Sequence, residues 1–324
     1  MKRDHLPSPE FSMNSFSTGA AGRRVLPCRN QLCVFWAFLL PIIIIFSAST
    51  TDAAGQISFP QIRRQLFDSA VFGASKEMRA IVGDRGKIFL GSQADDNLWT
   101  PVSTETKETL FSVYFPDAKH GFVCGAQGTV LASTDGGKSW KKQDTPVDKH
   151  LFSIHFADPD NGCAVGDWGT IIYTGDGGKT WNNASLPEDI VLYGVRMQSP
   201  EEGLAVGEFG RILATADGGR TWMDGPMLTD QSLFCIAVSG NIAVAAGLDG
   251  NILYSADAGR TWQPAESEGH ASIYGISLDG KKGWAVGAPG VLLKTVNGGL
   301  NWQSVDDRKY PTLAWDKDGA SLLP

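Results

Sequence analysis

An all-β fold, a seven-bladed β-propeller of four-stranded antiparallel blades, is what this sequence predicts, and three observations predict it. Six tryptophans, Trp99, Trp140, Trp181, Trp222, Trp262 and Trp302, follow one another at intervals of 41, 41, 41, 40 and 40 residues. A spacing that constant means one structural unit copied in tandem. The last five each close an octet such as Thr174-Gly-Asp-Gly-Gly-Lys-Thr-Trp181, with counterparts at 133–140, 215–222, 255–262 and 295–302 and a weaker copy at 92–99. The intervals hold short apolar or alternating runs and no long helical period, which is the pattern of propeller blades.

The octet reads as a hairpin turn. Asp135, Asp176, Asp217 and Asp257, with Asn297 in the last copy, accept hydrogen bonds from the backbone just after them, and the glycines that follow take positive φ without a Cβ clash. Trp140, Trp181, Trp222, Trp262 and Trp302 then enter the next strand and pack beside the turn. The Gly178-Lys-Thr180 run has no helical pattern behind it, so it is not a phosphate loop. All ten residues are assigned to the scaffold.

The third unit shows the strands most clearly. Residues 151–156 alternate, 162–166 and 170–173 are apolar, and 181–184 lead a fourth strand. Between the second and third strands lies another repeated turn, Gly-x-x-Gly, at 83–86, 125–128, 166–169, 207–210, 247–250 and 287–290. It is expected to be a two-residue loop flanked by glycine. Neighbouring strands run antiparallel, so this turn and the octet project from opposite faces.

Six complete units end near Asp306, yet 311–315 and 320–323 still resemble the first two strands of another. Residues Ile57-Ser-Phe-Pro60 supply its outer strand in the expected closure, which pairs the N- and C-terminal strands and removes exposed edges. A six-bladed ring is the alternative. Residues 1–54 form a leader in which 32–46 is an apolar run, too short for an ordinary membrane span and followed by small residues. The leader is therefore expected to be a signal peptide or signal anchor, with the propeller occupying 55–324.

Net charge is −7, and removing residues 1–54 leaves 23 basic against 32 acidic residues, or −9. That balance argues against nucleic acid as a partner. Cys124, Cys163 and Cys235 remain beyond the leader; they match no metal motif and are expected to be small buried residues on strands. The histidines are scattered, so neither a metal nor a cofactor is implied.

The octets resemble the BNR or Asp-box repeat. The wider unit, as in Gly162-Cys-Ala-Val-Gly-Asp-Trp-Gly-Thr-Ile-Ile-Tyr-Thr-Gly-Asp-Gly-Gly-Lys-Thr-Trp181, looks like the photosystem II stability/assembly factor family of seven-bladed propellers, over residues 66–308. What the resemblance implies is a non-enzymatic exported scaffold that assists assembly of a membrane complex. Photosynthetic members sit in the thylakoid lumen and bind a newly made reaction-centre subunit; non-photosynthetic bacterial relatives also exist. The implied partner is a membrane-complex protein subunit, the photosystem II reaction-centre protein where the organism is photosynthetic. The implied location is periplasm or thylakoid lumen, at the membrane, as a monomer. Photosynthetic members carry a basic patch, often with Arg beside the Gly-x-x-Gly turn. Here only Arg85, Lys87 and Arg211 fall at such places, while Thr129, Thr170, Asn251 and Val291 occupy them elsewhere.

Residues that differ from unit to unit on one face are the candidates for function. At the Gly-x-x-Gly tips these are Arg85, Gln127, Asp167, Trp168, Glu208, Phe209 and Asp249, joined by Arg211. Trp168 and Phe209 hold equivalent places in adjacent units, each after a carboxylate. Large aromatics at turn tips suit a platform for an extended segment of a partner protein; the competing role is a plug folded over the central channel. Two other classes fit a propeller of this kind. A sialidase-like hydrolase needs an arginine triad, a Tyr–Glu nucleophile pair and an Asp acid/base, but its boxes are irregularly spaced and its Arg-Ile-Pro sequence is missing here. An envelope-associated propeller working with a membrane transport system predicts the same fold with a different partner.

Overall fold

The computed structural model describes residues 66–72, 78–92, 95–288 and 290–305. Among them every regular element is a strand or a short 3₁₀ turn, and the strands form six sheets. Sheet 1 contains β1 (Leu66–Phe72), β2 (Met78–Gly83), β3 (Ile88–Ser92) and β4 (Asp95–Val102). Sheet 2 contains β5 (Leu110–Tyr114), β6 (Gly121–Gly125), β7 (Val130–Ser133) and β8 (Lys141–Gln143). In sheet 3 these are β9 (Leu151–Phe156), β10 (Gly162–Gly166), β11 (Ile171–Thr174) and β12 (Asn182–Asn183). Sheet 4 has β13 (Leu192–Met197), β14 (Gly203–Gly207), β15 (Ile212–Thr215) and β16 (Met223–Asp224). Sheet 5 has β17 (Leu233–Ser239), β18 (Ile242–Gly247), β19 (Ile252–Ser255) and β20 (Gln263–Pro264). The last sheet gathers β21 (Glu266–Ser267), β22 (Ser272–Asp279), β23 (Lys282–Ala288), β24 (Val291–Thr295) and β25 (Asn301–Ser304).

Within each sheet consecutive strands pair antiparallel, and the first strands of successive sheets pack side by side as propeller blades do. The middle strands read Gly-x-Ala/Val-x-Gly and are buried throughout in sheets 2, 3 and 4. Their alternate residues feed the apolar layers between neighbouring sheets. Between sheets 2 and 3, for example, Phe122 stacks on Phe156 at 3.5 Å and Trp181 meets Phe156 edge-on at 6.0 Å. The last sheet departs from four strands. The connection leaving sheet 5 adds β21 parallel to β25, where the Glu266 and Glu268 amides donate to the Leu300 and Trp302 carbonyls. This caps an outer edge that would otherwise be open. The segments expected to build a seventh blade, 57–60, 311–315 and 320–323, lie outside the described residues, as does the leader.

The octet turns are self-contained hydrogen-bonded knots. In sheet 2 the Ser133 hydroxyl donates to Asp135 Oδ1 at 2.8 Å, while that carboxylate accepts the Ser139 amide at 2.9 Å and its hydroxyl at 2.6 Å. The Asp176, Asp217 and Asp257 carboxylates repeat the pattern, and Asn297 reproduces it with Thr295 and Asn301. Trp140, Trp222, Trp262 and Trp302 donate Nε1 to the carbonyl of the glycine three residues before them; the Trp181 nitrogen is buried without an acceptor.

The Gly-x-x-Gly turn is a two-residue loop, but not the expected one flanked by both glycines. The Thr129 amide donates to the Ala126 carbonyl at 3.0 Å, so the central residues are Gln127 and Gly128, both at positive φ as a type I′ turn requires. The first glycine serves another purpose: a Cβ on Gly125 would lie 2.2 Å from the Thr109 carbonyl oxygen. The loop is thus shifted by one residue, because only the second glycine is used for its backbone freedom. Opposite projection of the two turn types holds. The Gly-x-x-Gly turns bond to the connections between sheets, as Gly128 N to Lys149 O at 2.7 Å, and the octets bond to the first hairpin turn of their own sheet, as Gly136 N to Lys119 O at 2.8 Å.

Candidate functional site

The shifted turn puts one residue in each of the first five sheets into the left-handed region at the same position: Arg85 at φ 56°, Gln127 at 53°, Trp168 at 56°, Phe209 at 55° and Asp249 at 56°. Asp tolerates that conformation, but for a bulky aromatic it costs on the order of 1 kcal/mol. Trp168 and Phe209 nonetheless stand there with 57% and 60% of their surface in water. Side chains that exposed add nothing to the core. Lys149 places its Nζ 5.7 Å from the Trp168 ring centroid. On the next connection Met227 and Leu228 are also exposed, and Thr229 packs against Gly210 beneath Phe209. Apolar surface therefore continues from the tips outward.

The carboxylates that precede the two aromatics turn inward. Glu208 Oε2 accepts the Val191 amide at 2.9 Å, and the Tyr193 hydroxyl donates to the same side chain. Burial pushes the Glu208 carboxyl above its usual range, and neighbouring Asp189 adds to the rise. Burial also raises Asp167, against the pull of His150 and Lys149; its Oδ1 is buried with no hydrogen-bond partner. The other candidates are spread over the same end. Arg85 is 78% exposed with Nε 4.0 Å from Asp84, Gln127 donates its backbone N–H to His150 Nδ1 at 3.2 Å, and exposed Asp249 donates its backbone N–H to the Ser272 hydroxyl. Arg211 is engaged between Glu188, at 2.7 Å, and Asp224, so its guanidinium is already neutralised.

A feature that sequence reasoning missed connects these tips. An aromatic stands second in β5, β9, β13 and β17 and third in β22: Phe111, Phe152, Tyr193, Phe234 and Tyr274. In each of these strands the ladder register shifts at that residue, a β-bulge that re-aims its side chain. The rings make a half-buried collar, with centroids 5.4 Å apart for Phe111 and Phe152, 5.2 Å for Tyr193 and Phe234, and 5.3 Å for Phe234 and Tyr274. His150 joins it 6.1 Å from Phe111. The signal was available as an aromatic repeated at 41, 41, 41 and 40 residues, but it looked like ordinary strand alternation.

Further along the first strands the inner face is polar. Arg196 donates Nη1 to the Val195 carbonyl at 2.7 Å and is held near Asp68 and Tyr114, whose opposing charge and hydroxyl offset a burial that depresses its pKa. Asp68 accepts the Val113 and Ser69 amides at 2.9 and 2.8 Å. His155, 4.0 Å ring to ring from Tyr114, accepts the Met197 amide on Nδ1, and burial keeps it neutral.

The arrangement offers surface recognition more readily than catalysis. Tyr193 and Glu208 have the composition of a hydrolase nucleophile pair, but burial and the adjacent carboxylate push the Tyr193 hydroxyl up, opposite to what a nucleophile needs. The nearby guanidinium of Arg211 is tied to two carboxylates. The octet carboxylates lie at the other end, saturated by their own turns.

Known proteins resemble the chain in the same sense. The family model described as photosynthesis system II assembly factor YCF48 matches residues 91–149, 138–268 and 242–313. The photosystem II assembly lipoprotein Ycf48 of Prochlorococcus marinus is 40% identical over 48 residues, a match spanning 15% of this chain and 14% of that protein. Among solved structures, YCF48 from Cyanidioschyzon merolae is 18% identical with a TM-score of 0.59, covering 74% of this chain and 84% of that one. YCF48 bound to D1 peptide is 18% identical with a TM-score of 0.60, covering 83% and 87%. The GH74 xyloglucanase from Xanthomonas campestris also shares the fold, at 12% identity and TM-score 0.60, covering 75% of this chain and 45% of that one.

Proposed function

Given that the chain belongs to the photosynthesis system II assembly factor YCF48 family of BNR propellers, we propose that it is a non-enzymatic, extracytoplasmic scaffold that holds an extended segment of a membrane-complex subunit during assembly. The observation that carries this reading is the pair Trp168 and Phe209, exposed aromatics in costly backbone at equivalent tips of adjacent sheets. The collar behind them and the exposed Met227 and Leu228 beside them extend the apolar surface that such a segment would cover. Arg85, Gln127, Asp167, Glu208 and Asp249 form its polar rim, with Arg211 bracing the connection beneath. The client class is a photosystem II reaction-centre protein, in keeping with the D1 peptide bound by the similar YCF48. Residues 32–46 deliver the chain across a membrane or anchor it there, and a seventh blade built from both termini closes the ring around a monomer.

Crosslinking the protein in its native membrane and identifying what it captures tests the reading. Recovery of a reaction-centre subunit, lost on replacing Trp168 and Phe209 with Ala at unchanged melting temperature, supports it. Recovery that is indifferent to both substitutions rejects the platform, and capture of a transport-system component instead would reassign the client.

A further inference from the structure

The same end of the molecule has a charge bias that the aromatic residues do not explain. The turns 167–169 and 208–210 and the connections 144–150 and 184–191 carry Asp144, Asp148, Asp167, Glu188, Asp189 and Glu208 against a single cation, Lys149. Lys149 is spent, 3.4 Å from Asp148 and over the Trp168 ring. Arg211, just before the following strand, compensates Glu188 and Asp224. Asp189 and Glu208 are left as a like-charged pair, Glu208 immediately preceding exposed Phe209 in the chain, and the groups that hold Glu208 are the Val191 amide and the Tyr193 hydroxyl, neither of them a cation. Carboxylates on the same turn and the adjoining connection as an exposed aromatic are complementary to a guanidinium or ammonium group, which can gain from the ring quadrupole as well as from the charges.

We propose that this face is selective for an extended segment bearing Arg or Lys next to apolar residues, with the cation seated between Phe209, Glu208 and Asp189. The inference rests on the platform reading above and adds the charge of the occupant to it. A neutral or acidic segment would leave the carboxylate pair uncompensated and would be disfavoured on contact.

Two fluorescein-labelled twelve-residue peptides of equal apolar content, one alternating Leu with Arg and the other Leu with Glu, test it by fluorescence anisotropy against the full-length protein. The Arg peptide is expected to bind roughly tenfold more tightly at low salt, an advantage that shrinks at about 0.3 M NaCl. Glu208→Gln with Asp189→Asn should remove roughly fivefold of that advantage, whereas Glu201→Gln at the opposite end should remove none. Equal binding of the two peptides, or an advantage that the double variant leaves intact, overturns the charge assignment. If Phe209→Ala still weakens both peptides in that event, the platform itself stands. Failure of both peptides to bind, or binding of the Arg peptide that is indifferent to Phe209→Ala, overturns both.

Discussion

The Tyr193 hydroxyl donates to the Glu208 carboxylate, tying the aromatic collar of one sheet to the turn tip that presents Phe209. The bond makes the tip part of the inner strand's packing, so the exposed ring is held on a rigid base. It also commits Glu208 to a poorly solvated position close to Asp189.

Glu208 should therefore be a group whose ionisation costs stability. Its folded pKa is raised, so the stabilisation it offers is present below the unfolded value of about 4.3 and is lost as pH rises through the folded value. Glu208→Gln keeps an acceptor for Val191 and Tyr193 without the charge. The variant is expected to melt at a higher temperature than wild type at pH 7, and the difference should vanish below about pH 4. Thermal melts across that range check it; a lower melting temperature at pH 7 would mean that the charged hydrogen bonds outweigh desolvation.

The tip aromatics should show the opposite balance between stability and binding. Asn adopts left-handed backbone more readily than Trp or Phe, and in sheet 5 Asp249 already fills the equivalent place. Trp168→Asn and Phe209→Asn are each expected to leave stability unchanged or raise it by up to about 1 kcal/mol in denaturant titrations. Partner or peptide binding should fall at the same time. Loss of more than about 1 kcal/mol would show that the rings belong to the fold.

The Asp-box carboxylates should dominate the acid limb of the stability curve. Hydrogen bonds from Ser139 hold Asp135 at about 2, and those from Thr261 hold Asp257 at about 2. A depressed folded pKa contributes stability that is present above the unfolded value and lost as pH falls through the folded one. The loss should thus fall between about pH 4 and pH 2. Asp135→Asn should keep much of the turn, as Asn297 does naturally, and blunt that loss. Asp135→Ala should cost about 1–2 kcal/mol at neutral pH by leaving the Ser133 and Ser139 donors unpaired.

What could be read from the sequence followed from the period of the repeat. Tryptophans at a forty-residue interval fixed the unit, and the Asp and Gly of each octet fixed its turn, because both depend on local backbone chemistry. The tips Trp168 and Phe209 stood out as departures between units. The collar escaped notice because Phe111, Phe152, Tyr193, Phe234 and Tyr274 occupy strand positions where an aromatic is unremarkable; what makes them a collar is a bulge, and a bulge is set by how two strands pair. The engagement of Arg211 was hidden for a similar reason, since Glu188 is distant in sequence and Asp224 lies across a strand pair. The one-residue shift of the Gly-x-x-Gly loop came from the first glycine being required by a carbonyl of the preceding connection, a tertiary contact.

The cysteines give a final, independent check on the packing of the first and second strands. Cys124 and Cys163 are fully buried and Cys235 part-buried, all three as free thiols on β6, β10 and β17. Their sulfurs approach the carbonyls of Leu151 at 3.2 Å, Gly218 at 3.8 Å and Ala246 at 3.5 Å. Burial pushes Cys163 and Cys235 up to about 12 and Cys124 up as well. At pH 8 a thiol near 12 is ionised on the order of one part in ten thousand, and the thiolate is the species that reacts. With Cys28 and Cys33 replaced by Ser, the native protein is expected to take up almost no iodoacetamide, while denaturant should expose all three sites together if the sheets unfold as one unit. Mass spectrometry of the labelled protein reads this directly. A native chain that alkylates quickly at Cys235 alone would locate a local opening at the first strand of sheet 5, next to the collar ring of Phe234, and would mean that the inner strands are looser than their packing implies.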